Sequence, residues 1–199
     1  MDWKEREKAY VNTYYLGYNQ LGRLTSAKYN NRKYYNSVYY QYDKMGNVTS
    51  LTRSGERDNN HYGTIDILDY SYDGNQVVKV SDKESGPHFK GAFHFVDGAD
   101  EDIEYTYDAN GNMTRDLNKG IQSIEYNVLN LPVAVNFKLR DDQTGLEEKK
   151  SIEYFYDSEG GKRAVLYTGG ETSTDDNTLC YSYTENRTFE DGELRQILF

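Results

Sequence analysis

The sequence predicts an all-β protein in which consecutive hairpins build an antiparallel, twisted sheet. Of its 199 residues 21 are Tyr and only 2 are Pro, and Tyr suits a pleated, half-buried surface better than a helix face. Ile103, Tyr105 and Tyr107 alternate with polar residues, which is the period of a strand. A turn signature that recurs along the chain supplies the third observation.

Five segments share this signature: a tyrosine, then Asp or Asn, two free positions, and then Gly or Asn. Asp or Asn accepts hydrogen bonds from nearby backbone amides, and Gly or Asn tolerates the positive φ of a bulge. The pattern therefore predicts a three-residue hairpin loop in each segment. The predicted structural turn residues are Asn19 and Gly22, Asp43 and Gly46, Asp108 and Gly111, Asn127 and Asn130, and Asp157 and Gly160.

Other hairpins and connections follow from the same kind of pattern. Gly74 with Asn75, and Asp191 with Gly192, predict two-residue turns. The polar stretch from Arg53 to Gly63 is expected to be a connection. The stretch from Leu146 to Tyr154 has some helical periodicity, but it continues into alternating residues, which favours a strand.

The units make up a single predicted domain over residues 1–199, with about six or seven hairpins and no internal boundary. Leu, Ile, Val and Phe supply only 39 residues, so part of the core is expected to be tyrosine. The net charge of -10 argues against nucleic acid and anionic membrane as partners, since both bind basic surfaces. No apolar run is long enough for membrane insertion, and the first residues lack the apolar segment of a signal peptide.

The segment DANGN places Asp108, Asn110 and Asn112 at alternate positions, as the first ligands of a calcium loop are placed. Such a loop also needs Gly at position six and Glu at position twelve, and this chain has Met113 and Lys119 there. A turn is therefore predicted instead of a metal site. The spacing of His88, His94 and Asp97 matches no short zinc motif, so these residues are expected in loops or at edges.

No enzymatic motif stands out. Cys180 is the only cysteine, and neither a GxSxG elbow nor a phosphate-binding glycine loop is present. The 33 acidic residues nominate no particular carboxylate pair. We expect no catalytic residue, no metal and no cofactor; an enzyme would need a cleft with two converging acids.

The tyrosines before the turns have two interpretations. Period two places them on one face, where they either pack across strands as core or stack on sugar rings as an exposed platform. Burial decides between a structural role and carbohydrate binding. The residues concerned are Tyr40, Tyr42, Tyr105, Tyr107, Tyr154 and Tyr156.

Two segments, YQYDKMGNVTSL (residues 40–51) and YTYDANGNMTRDL (residues 105–117), resemble the YD repeat of bacterial RHS (rearrangement hotspot) proteins. YNQLGRLTSAKY (residues 18–29) resembles the YDxLNRLTSA variant of that repeat. KGIQSIEYNVLNLPVAV and YTENRTFEDGELRQILF also resemble recurrent segments of the family. The resemblance covers nearly the whole chain.

The resemblance implies a non-enzymatic scaffold, an open strip of sheet that in full-length members spirals into a shell around a C-terminal toxin or effector. The family's DHLGNxR motif and its self-cleaving aspartates come after the segment that ends here at Phe199, so no residue of this chain takes that role. The implied partners are the rest of the shell and an effector, and the implied location is secreted or cell surface. An isolated strip has unpaired edges, so self-association through edges or a face is also expected.

Overall fold

A computed structural model describes residues 2–4, 11–30, 35–58, 61–84, 86, 94–140, 147–169, 179–184 and 187–197. It confirms the all-β, antiparallel fold class. Within these ranges the only helical element is a single 3-10 turn. The chain divides into two compact units, Met1–Ile103 and Glu104–Phe199, each with its own sheet. The single domain expected over residues 1–199 stays a prediction.

The first unit contains a seven-stranded sheet in which every strand pairs with its neighbours along the chain. All these pairs are antiparallel, which is the arrangement that successive hairpins produce. The strands are β1 (Asp2–Lys4), β2 (Val11–Tyr18), β3 (Leu24–Asn30), β4 (Tyr35–Tyr42), β5 (Val48–Asp58), β6 (His61–Asp73) and β7 (Gln76–Asp82).

The second unit contains a nine-stranded sheet with the same sequential, antiparallel order. Between β9 and β10 lies the 3-10 turn Leu117–Lys119, which ends at Gly120 in the left-handed region (φ 69°). The strands are β8 (Tyr105–Tyr107), β9 (Met113–Asp116), β10 (Ile121–Tyr126), β11 (Pro132–Arg140), β12 (Glu147–Tyr156), β13 (Lys162–Thr168), β14 (Leu179–Thr184), β15 (Arg187–Glu190) and β16 (Glu193–Ile197).

The described strands form two antiparallel sheets, and the described residues between Asp82 and Tyr105 contain no strand. One expectation needs correction. The expected connection from Arg53 to Gly63 is mostly strand: β5 continues to Asp58 and β6 begins at His61. Backbone pairing stabilises this hairpin despite its polar side chains, since backbone hydrogen bonds do not depend on hydrophobicity. The strand predicted over the end of Leu146–Tyr154 is present as β12.

The buried apolar side chains are few and lie in strands. In the first sheet Tyr40 is opposite Leu51, which is opposite Leu68, so these residues share a face; Leu68 is 5% exposed. In the second sheet Tyr154 is opposite Val165, the most buried apolar residue at 1% exposure. The face that carries the tyrosines is therefore the face on which the core side chains lie.

Candidate functional site

The five predicted turns share one backbone geometry. In the turn at Asp43, the Asp43 amide donates to the Asn47 carbonyl (3.0 Å), and the Gly46 amide donates to the Asp43 carbonyl (3.4 Å). The same pair of bonds closes the turns that begin at Asn19, Asp108, Asn127 and Asp157. The fourth residue has a positive φ in each: Gly22 73°, Gly46 103°, Gly111 85°, Asn130 57° and Gly160 84°. A type I turn followed by a left-handed residue forms the three-residue loop with a G1 bulge.

The side chain of the first turn residue reinforces the loop. At Asp108 one carboxylate oxygen accepts from the amides of Asn110 and Asn112, both at 2.9 Å, and the other accepts from Asn112 Nδ2, also at 2.9 Å. The side-chain nitrogens of Asn110 and Asn112 both donate to Oδ1 of Asn130, each at 3.0 Å. Both Asp108 carboxylate oxygens are thus acceptors within the turn, and the turns at Asp108 and Asn127 are bonded to each other.

These bonds shift the acidity of the turn aspartates. The Asn112 side chain, followed by backbone amides, lowers the pKa of Asp108 against a smaller effect of burial. The Gly161 amide is the largest cause of the lowered pKa of Asp157. At Asp43 burial is the largest single influence and raises the pKa, but four hydrogen bonds from the loop together lower it. Each of these three aspartate turns therefore favours the ionised carboxylate.

A second feature, a bulge, follows each of these turns three residues after its Gly or Asn. Tyr42 is opposite Val48, and Gln41 is opposite Ser50, so Thr49 has no partner across the strand pair. The same one-residue bulge occurs in all five hairpins and in the shorter hairpin at Gly74. The bulged residues are Thr25, Thr49, Val78, Thr114, Val133 and Arg163.

In four hairpins a tyrosine hydroxyl connects the hairpin to the one before it. Tyr42 donates to the carbonyl of Leu24 at 2.7 Å, and Leu24 lies opposite Tyr18 in the preceding hairpin. Three more tyrosines do the same, and every acceptor is the residue directly before a bulge. We call the four bonds the tyrosine ladder: Tyr42 to Leu24 (2.7 Å), Tyr72 to Val48 (2.7 Å), Tyr126 to Met113 (2.8 Å) and Tyr156 to Pro132 (2.9 Å).

The ladder gives a reason for the tyrosine directly before the turn: an apolar residue without a hydroxyl could not donate this hydrogen bond. A bulge interrupts the pairing of the strand, and the hydroxyl supplies the carbonyl beside the bulge with a donor. Burial raises the pKa of Tyr126 and Tyr156, so these hydroxyls are protonated donors at neutral pH. The ladder thus connects strands that the turn itself does not join.

The six tyrosines named for packing or sugar stacking are all at least partly buried. Tyr105 is buried, at 8% exposure, and the other five are half-buried. The rings of Tyr40 and Tyr42 lie 6.3 Å apart, and those of Tyr154 and Tyr156 6.5 Å apart. Each of these two ring pairs forms along one strand, because residues two apart project from the same face. Cross-strand pairing of the six rings stays a prediction. Carbohydrate binding by these tyrosines stays a prediction.

Three buried carboxylates carry no signal that distinguishes them in the sequence. Asp66, fully buried, pairs with Arg53 (2.5 Å) and accepts from the Phe95 amide (2.6 Å). Glu104, also fully buried, accepts from the Asn118 side chain at 2.9 Å. Asp116, 2% exposed, caps the 3-10 turn. The structure therefore uses each of them in the local architecture.

Among the described residues, no group of three His, Cys, Asp or Glu side chains could hold a metal ion. His88 lies outside the described ranges, whereas Asp97 accepts from the Asp82 amide at 3.0 Å. Cys180 is a half-buried free thiol.

A shallow, open depression of about 390 Å³ lies on the second sheet. It is lined by amide and hydroxyl side chains, Phe137 and three lysines, with no carboxylate. It therefore lacks the converging acids that a glycosidase would need.

No protein-family model and no curated protein matches this chain. Among solved structures, the crystal structures of TcdB2-TccC3-Cdc42 and TcdB2-TccC3-TEV are similar at 15% and 13% identity, each with a TM-score of 0.34. The matches cover 92% and 91% of this chain but only 11% of each of those chains. No helix in the described part of the chain is long and apolar enough to cross a membrane.

Proposed function

We propose that this chain is a non-enzymatic scaffold segment of an RHS-type YD-repeat protein. The observation that carries the proposal is the tyrosine ladder, since in four hairpins the tyrosine before the turn bonds the hairpin that precedes it. Each added repeat of this kind extends the sheet by one hairpin that is hydrogen-bonded to the hairpin before it. The recurring turn and its tyrosine therefore keep the sheet continuous.

We further propose that this segment belongs to a shell around a C-terminal effector, as the YxYDxxGNxxxL segments imply. Three features support a structural role. The turn aspartates are engaged by their own loops, the tyrosine rings before the turns are at least partly buried, and the buried acids have structural partners. The partners in this proposal are further shell hairpins and the effector.

The coding sequence beyond the codon for Phe199 tests the proposal. A DHLGNxR-like motif followed by an effector region is expected. In the protein encoded by that longer sequence, limited proteolysis should leave the effector region intact while the sheet is folded. The same region should be cut once two ladder tyrosines, Tyr42 and Tyr156, are changed to Ala. Equal cleavage in both proteins, or a reading frame without an effector region, would contradict the shell assignment.

A further inference from the structure

Asn110 is the only asparagine of the chain that is directly followed by glycine. Asparagine is a chemically labile side chain, because the backbone nitrogen of the next residue can attack its side-chain carbonyl carbon. A following glycine hinders that attack least, since it has no Cβ. Both residues are exposed and occupy the third and fourth positions of the turn that begins at Asp108. The turn therefore presents a reactive pair, Asn110 and Gly111, to water.

The folded turn holds the two reacting groups apart. The Gly111 nitrogen is the nucleophile of this reaction, and its N–H donates to the Asp108 carbonyl at 3.1 Å. Asn110 is fixed at two points: its backbone N–H donates to the Asp108 carboxylate at 2.9 Å, and its Nδ2 donates to Asn130 Oδ1 at 3.0 Å. Attack therefore requires a local opening of the β8–β9 hairpin in which these hydrogen bonds break.

We propose that Asn110 is a site of spontaneous deamidation whose rate is set by the opening of the β8–β9 hairpin. The Gly111 nitrogen forms a bond to Cγ of Asn110, the Cγ–Nδ2 bond breaks, and Nδ2 leaves as ammonia with the proton that the Gly111 nitrogen gives up. Water then opens the five-membered imide at one of its two carbonyls, which yields aspartate or isoaspartate at position 110. The sum consumes one water and releases one ammonia, with no cofactor and no change of oxidation state.

The reaction weakens the connection between the turns at Asp108 and Asn127. Its product lacks the Nδ2 donor and sets a carboxylate against Asn130 Oδ1, which is itself an acceptor. Asn112 Nδ2 is then left as the donor of this connection. Isoaspartate also lengthens the main chain of the turn by one methylene group, which disturbs the bond from the Gly111 amide to the Asp108 carbonyl.

The test follows deamidation of the full chain at mildly alkaline pH by mass spectrometry of its peptides. Replacement of the side-chain amide by a carboxyl group raises the peptide mass, and fragmentation distinguishes isoaspartate from aspartate. A free peptide with the sequence of residues 105–117 gives the rate without a folded turn. Asn110 should react more slowly in the full chain than in this peptide, because the folded turn has to open first.

Tyr126→Phe tests whether opening of the hairpin sets the rate. It removes the hydroxyl that donates to the Met113 carbonyl, directly after the turn. Deamidation of Asn110 should become about three- to tenfold faster, the effect of one neutral hydrogen bond on the opening equilibrium. Tyr42→Phe is the matched control: it removes the equivalent bond of the first sheet and should leave the rate at Asn110 unchanged.

A second variant covers the case in which Tyr126→Phe unfolds the second sheet, which circular dichroism would show. Asn130→Gly removes the acceptor of the Asn110 side chain and keeps a residue suited to positive φ; it should also speed the reaction. Equal rates in the full chain and the free peptide overturn the proposal. So do equal rates for Tyr126→Phe and Tyr42→Phe, or an Asn110 that stays unmodified in both test variants. None of these results depends on a shell or an effector, so failure here leaves the scaffold proposal standing.

Discussion

Removal of a single ladder hydroxyl isolates the contribution of the tyrosine ladder to stability. In Tyr42→Phe the ring remains, and with it the contact to the Tyr40 ring and the guanidinium of Arg23, whose carbon lies 4.8 Å from the Tyr42 ring centre. The only group lost is the hydroxyl that donates to the Leu24 carbonyl at 2.7 Å. The substitution therefore measures one bond between two hairpins.

The expected cost is about 1 kcal/mol, the usual net value of a neutral hydrogen bond in a folded protein. The cost rises toward 2 kcal/mol if water cannot reach the Leu24 carbonyl, because that carbonyl then stays buried without a donor. For a unit the size of Met1–Ile103, 1 kcal/mol corresponds to a fall in Tm of about 4–8 °C.

Urea unfolding followed by circular dichroism, together with thermal scans, measures the difference. Tyr39→Phe is the control, since Tyr39 lies in the same strand, is 40% exposed and is not part of the ladder. Its stability should stay within about 0.5 kcal/mol of that of the unchanged chain. If Tyr42→Phe loses no more stability than Tyr39→Phe, the ladder does not hold the hairpins together.

Other predictions concern the turns, the edges and the tyrosine faces. Gly111 has φ 85°, so Gly111→Val should lower the free energy of unfolding, measured in urea, by about 1–2 kcal/mol. Gly111→Asn should lower it less, since Asn130 adopts φ 57° in the equivalent turn. The lowered pKa of Asp108 means that its contribution to stability is present above the unfolded value near pH 4 and is lost as the pH falls through the folded value. Asp108→Asn should therefore reduce the loss in urea midpoint between pH 6 and pH 3; an unchanged loss contradicts this. Light scattering should show self-association that rises with concentration and weakens in Leu16→Lys, which replaces an apolar side chain that is 53% exposed by a charged one; a monomer at high concentration argues against it. A glycan array tests carbohydrate binding, and signal above background that Tyr→Ala changes remove would support it.

Local chemistry accounts for the features that were predictable from the residues alone. An Asp that accepts from amides two and four residues later, and a Gly with positive φ, act within five consecutive residues, so the turn at Asp108 can be inferred without its neighbours. Alternation likewise predicts strands such as β8, because side chains of a strand project to opposite faces regardless of the partner.

Pairing between distant segments accounts for what could not be predicted. The bulge at Thr49 depends on how β5 registers against β4, which is a property of two strands together. The extension of β5 to Asp58 through polar residues follows from pairing with β6. The burial of Asp66 likewise depends on Arg53 and the Phe95 amide, which lie far from it in the chain.

The amino-acid sequence by itself determined the repeating hairpin, since its turn and its alternation are properties of a few adjacent residues. Only the tertiary structure decided what the tyrosines do. Tyr156 bonds the Pro132 carbonyl 24 residues away, and that acceptor is available only once two hairpins lie side by side and a bulge has interrupted the strand between them. The division into two sheets was decided in the same way, because strand pairing is a property of segments that meet in space and not of any one segment.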